Sequence, residues 1–130
     1  RLSHMCKNQD AEVALHCVDH VRRCGGVLEH PAHSRLWDHC RMPKPGYFPD
    51  VYGGYTIPTT LAAFGGDVMK RTWVYVVRPN DEVRAPFRTH IPTRTVEQQW
   101  SWERQITPIR MARWLIEVAS TTHTPQEQVA

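Results

Sequence analysis

The segment Glu29-His30-Pro31 sets a carboxylate, an imidazole and a rigid ring directly after a short apolar run, Gly26-Val27-Leu28. A glutamate leaving a buried strand stands at the carboxyl edge of a sheet, where open α/β folds bind ligands. Held there, it can accept a hydrogen bond from an amino group such as that of cytosine. Spacing alone equally allows an ordinary strand end with a solvated glutamate. Lys70-Arg71 precedes a strongly apolar run and, with Arg35, Arg41 and Lys44, could contact phosphates; the ordinary reading of that pair is a solvated strand flank. His16, His20 and Cys24 lie four apart, on one helical face, and two ligands one turn apart can bind zinc. No second pair has metal spacing, and only Cys6 or Cys40 could complete a set through folding, so zinc is not expected. Cys6 and Cys40 stand near His4 and His39, but sequence neighbours seldom form catalytic dyads, and no cysteine nucleophile is assigned. Trp100 and Trp102 could stack on a base, although core packing is the ordinary fate of tryptophan.

These groups need elements to carry them. Residues 10 to 24 read as a helix, with Asp10 as cap and Ala11, Ala14, Leu15, Val18 and Val21 as its apolar stripe. Gly25-Gly26 ends it, and Val27-Leu28 begins a strand that Pro31 stops. Helix, Gly-Gly, short apolar strand is half of a βαβ unit and predicts a parallel sheet. Ser34 to Cys40 reads as a helical turn capped by Ser34. Met42 to Pro58 reads as an ordered loop whose aromatic residues Tyr47, Phe48, Tyr52 and Tyr55 can pack. Thr59 to Phe64 is expected to be a strand. Thr72 to Val77 is the clearest one, being β-branched and aromatic throughout. Residues 82 to 105 read as polar and irregular. Thr107-Pro108 is expected to start a largely buried helix, threonine as cap and proline first, that runs to about Ser120. The tail beyond it is expected to fray.

The 130 residues suit one domain, residues 1–120, with residues 121–130 as a flexible tail. An apolar share of 41% and a charged share of 22% are ordinary for a globular chain. No apolar run is long enough to span a membrane. No leader pattern precedes the first helix, so the expected compartment is the cytoplasm, with Cys6, Cys17, Cys24 and Cys40 reduced. The net charge of +3 is a weak bias towards anionic partners rather than the signature of an autonomous DNA-binding module. The ten prolines argue against a helical bundle.

In order, V-L-E-H-P, T-L-A-A-F-G-G, K-R-T-W-V-Y-V-V and I-T-P-I-R-M-A-R-W-L resemble the C-terminal half of phage and bacterial proteins related to DNA cytosine methyltransferases. The resemblance covers roughly residues 10 to 120. It implies an α/β fold with part of a Rossmann-like methyltransferase sheet, flanking helices and a loop-rich middle. It assigns the catalytic part to Glu29, which would hold the target cytosine after base flipping. Substrate-binding roles fall to His30, Pro31, Arg35, Lys70 and Arg71. Thr107 and Pro108 would stand beside an S-adenosylmethionine pocket, and DNA is the implied partner. The departures are His30 in place of the family's asparagine and the absence of both the Gly-rich cofactor loop and the Pro-Cys nucleophile loop. The implied protein is a fragment or a reduced, phage- or prophage-derived relative, incomplete and inactive alone, with S-adenosylmethionine bound only if an N-terminal half is present. The alternative is a non-catalytic phage-type binding module for nucleic acid or a host protein.

Overall fold

The computed structural model describes residues 2–87, 94–95 and 106–125, with side chains from residue 10 onward. The expectations for Trp100, Trp102 and most of residues 88–105 lie outside the described residues. The elements are α1 (Leu2–Cys24), β1 (Gly26–Pro31), α2 (Arg35–His39), β2 (Gly54–Thr60), a 3-10 turn (Leu61–Phe64), β3 (Arg71–Val77) and α3 (Ile109–Ser120).

The three strands form one sheet in the order β1-β3-β2, and β3 is antiparallel to both neighbours. The parallel pairing expected from the helix–Gly-Gly–strand pattern is therefore corrected. β1 and β2 do run the same way, but β3 returns between them. The reversal is local: Gly65 adopts φ 83°, Gly66 N–H donates to Leu61 O, and Leu61 N–H donates to Lys70 O at 3.1 Å. A pattern read along the chain cannot show that the last strand inserts between the first two.

Alternation along β3 divides the core into two faces. Trp73, Tyr75 and Val77 pack with Val18 and Val21 of α1 and with Trp37 and Met42. Val74 and Val76 pack with Leu61, Phe64, and Met111 and Val118 of α3. From Thr72 to Val77 every residue is buried, as the β-branched and aromatic run requires.

Several boundaries differ from expectation. α1 begins well before Asp10, so Asp10 is not its cap, and of the stripe only Val18 and Val21 are buried while Ala11 and Leu15 are exposed. The strand expected at Thr59–Phe64 lies earlier, because the Thr60 side chain accepts from Ala63 N–H at 3.3 Å and turns the chain into the 3-10 segment. Pro58 is tolerated because β2 is a sheet edge. Tyr47 and Phe48 are exposed rather than packed. Pro108, not Thr107, caps α3. Beyond Ser120 the chain is held at least to Thr124: Thr122 bridges Pro79, His123 N–H donates to Arg78 O, and Thr124 Oγ1 donates to Cys24 O. Gly25, at φ 79°, lies against the His123 backbone, leaving no room for a Cβ. No helix among the described residues is long and apolar enough to cross a membrane.

Candidate functional site

Alternation along β1 sends Val27 and Glu29 towards the α3 face and Leu28 and His30 towards the α1 face. The register sets Pro31 opposite Thr72 on one side of β3, and Thr59 opposite Thr72 on the other. The carboxyl ends of β1 and β2 thus meet the start of β3, where Lys70 and Arg71 enter the sheet.

Glu29 is half-buried, and its Oε1 accepts a hydrogen bond from Thr72 Oγ1. Thr72 is fully buried, and its hydroxyl also lies 3.0 Å from His30 O. One hydroxyl proton serves one strong bond, and the charged carboxylate is the better acceptor. Among the described residues this is the only hydrogen bond to the Glu29 carboxylate, which leaves its other oxygen without a protein donor.

His30 Nδ1 and Ser34 Oγ lie 2.8 Å apart. Ser34 therefore flanks α2 without the side-chain cap expected of it. Burial pushes the His30 imidazole below its ordinary range; Glu29 and the Pro31 backbone oppose this, and Lys70 adds to it. The neutral ring is favoured. Beyond β1, Trp37 Nε1 donates to Pro31 O at 3.0 Å and Ala32 N–H to Arg71 O at 3.2 Å, fixing the strand exit. The turn then places His33 at φ 62°, its ring edge-on to Trp73 with centroids 4.7 Å apart.

Two cavities flank this edge. One, of about 340 Å³, is lined by His33, Pro58, Thr59, Thr60, Arg71 and Trp73. The other, of about 440 Å³, lies between α1 and α2 and includes His30, Arg35, Ala14, Leu15 and Leu36. A third, of about 370 Å³, lies by α3 between Phe64, Phe87, Trp114, Arg84 and Arg110. Glu29 lines none of these three.

The fold thus brings Glu29, His30, Pro31, Lys70 and Arg71 to one end of the sheet. Arg35 stands apart on α2, sharing a cavity with His30. No hydrogen bond among the described residues joins Thr107 or Pro108 to Glu29, and Thr107 is exposed. Sequence reasoning missed Thr72, Thr59 and His33 as site residues. A lone threonine opening an otherwise apolar strand was the legible sign for Thr72. His16 and His20 are exposed, and no group of three potential metal ligands occurs among the described residues. Burial pushes the Cys40 thiol upward, against the pull of Arg22, which disfavours a thiolate there. Cys17 is exposed.

Comparison of the chain with protein-family models, with curated proteins and with solved structures found no match in any of the three.

Proposed function

We propose that this chain is the base-holding part of a DNA cytosine methyltransferase-like domain, of phage or prophage type, and that it transfers no methyl group by itself. The observation that carries this reading is the Glu29 carboxylate, fixed through one oxygen by a buried threonine near the carboxyl end of β1, with no hydrogen bond to its second oxygen among the described residues. A carboxylate in that state accepts from the exocyclic amino group of an unstacked cytosine. One further feature supports it. Lys70 and Arg71 supply positive charge where a phosphate backbone would pass.

The residues present do not fit S-adenosylmethionine. Thr107 and Pro108 line none of the three cavities above, and the cavity nearest the first turn of α3 carries Arg84 and Arg110, which repel a sulfonium cation. No methyl-transfer step is assigned to this chain.

The test is binding to two duplexes that differ at one position, a cytosine either paired or opposite an abasic site. The unpaired cytosine costs less to unstack, and the chain is expected to prefer it. Glu29→Gln should reduce that preference about tenfold. Equal binding of both duplexes by both proteins would overturn the reading. A methyl-transfer assay on duplex DNA should show no incorporation; turnover by the isolated chain would overturn the second half of the proposal.

A second reading, a non-catalytic binding module for nucleic acid or a host protein, draws on the loop between α2 and β2. Phe48 and Val51 are 93% and 94% exposed on it, although Asp50 between them is firmly held. Exposed apolar side chains on a fixed loop suit a contact surface. If Phe48→Ala abolishes DNA binding and Glu29→Gln leaves both affinity and base preference intact, this second reading replaces the first.

A further inference from the structure

We propose that the cavity between His33 and Arg71 is a phosphate site. Two donors line it, and among the described residues neither has a polar side-chain partner. Arg71 is exposed, and among the described residues no carboxylate lies within ion-pair distance of it; Arg22, by contrast, is engaged by Asp50 and by Cys40 O. The His33 ring is set by Trp73, and no hydrogen bond engages its nitrogens among the described residues. Its backbone holds a left-handed φ of 62°, uncommon for a side chain with a Cβ.

A guanidinium and an imidazole around one space match the acceptors of a phosphate group, which arginine can grip with two parallel N–H bonds. The volume, about 340 Å³, exceeds what the anion alone needs, and the remaining wall is the apolar surface of Trp73 and Pro58. That combination suits a phosphate carrying a sugar or a ring. The choice of a nucleotide phosphate, over any other, rests on the base-holding reading above. The phosphate itself is either a diester of a DNA backbone or the monoester of a free nucleotide.

The test is an NMR titration of the full 15N-labelled chain with inorganic phosphate, dCMP, deoxycytidine and a short single-stranded deoxyoligonucleotide. Phosphate and dCMP should shift the signals of His33, Thr59, Thr60 and the Arg71 side chain. Deoxycytidine should instead shift those around Glu29 and Thr72. Arg71→Ala should weaken the phosphate response about tenfold, the loss expected for a charge-assisted contact, and leave the deoxycytidine response alone. A stronger oligonucleotide response at these residues identifies a backbone diester; a stronger dCMP response identifies a free nucleotide. Absence of any response to phosphate, dCMP and oligonucleotide at these residues, or one that survives Arg71→Ala unchanged, would overturn the inference. Loss of the deoxycytidine arm alone would count against the base-holding reading and leave the phosphate site standing.

Discussion

Two hydroxyls of β3 do the same chemistry at opposite ends of the strand. Tyr75 donates to Asp50, and Thr72 donates to Glu29. At the Tyr75 end the acceptor is fully engaged. Asp50 Oδ1 takes Tyr52 N–H at 3.0 Å and Gly54 N–H at 2.9 Å, and Oδ2 faces Arg22 at 3.7 Å. Arg22 in turn donates to Cys40 O at 2.6 Å and lies 4.5 Å over the Tyr52 ring. Burial and the Asp50 bond push the Tyr75 phenol far above its ordinary range. At the Thr72 end the Glu29 carboxylate has one hydrogen bond among the described residues, and it engages only one of the two oxygens. The closed network fastens α1 and the loop after α2 to the sheet; the open one leaves bonding capacity for something that is not part of the protein. Satisfied polar networks stabilise, and incompletely satisfied ones mark places where a ligand can complete them.

Removing Asp50 should have the largest effect on stability. Asp50→Ala leaves the Arg22 charge and the Tyr75 hydroxyl uncompensated in a mostly buried setting, and should cost about 3 kcal/mol. Urea unfolding measures it, and a loss below about 1 kcal/mol would end the claim that this network fastens the fold. Gly54→Ala tests the same region without removing a charge. A Cβ there would enter the Tyr75 ring, so the ring must move and its bond to Asp50 must break. A loss comparable to that of Asp50→Ala is expected.

At the open end the effects on stability should be smaller. Thr72→Val removes a buried donor and should cost about 1–2 kcal/mol, with Thr72→Ser recovering most of it. Glu29→Gln keeps an acceptor for Thr72 and should change stability by less than about 1 kcal/mol, while lowering the preference for an unpaired cytosine. Should Glu29→Gln prove as damaging to folding as Asp50→Ala, the two ends would not differ, and Glu29 would be a structural residue.

Some of the elements behind this contrast were legible in the sequence; the contacts that make it were not. The run from Thr72 to Val77 declared itself a strand, and Gly25-Gly26 declared the end of α1. Glu29, Lys70 and Arg71 were visible as residues of interest because they sit where apolar runs begin or end. Their convergence was not visible, since it depends on β3 pairing with β1 across 40-odd residues of chain, a register set by tertiary packing rather than by local pattern. The same non-local pairing hid Thr72, Thr59 and His33. The Asp50 network was hidden for another reason: Arg22 reads as a dipole-complementing residue at the end of α1, and only the folded loop brings a carboxylate to it.

The finest distinction between the two ends is pH dependence. His30 is half-buried beside Glu29, and its folded-state pKa lies below the ordinary value of 6.5. As pH falls, the unfolded chain therefore takes up this proton before the folded chain does. The contribution of His30 to stability is fully present above 6.5 and is lost as pH falls through the folded-state value. His30→Gln, neutral throughout, should flatten that part of the stability profile. Comparing urea midpoints of the two proteins at about pH 7.5 and about pH 5.5 isolates the difference from other titrating groups. The closed end offers a control, because the Tyr75 phenol, shifted upward, stays protonated across that window. A Tyr75→Phe protein should therefore keep the wild-type pH slope even as its overall stability drops. If instead Tyr75→Phe flattened the slope and His30→Gln preserved it, the titrating group would belong to the fastened end, and the assignment of pH sensitivity to the open edge of the sheet would be reversed.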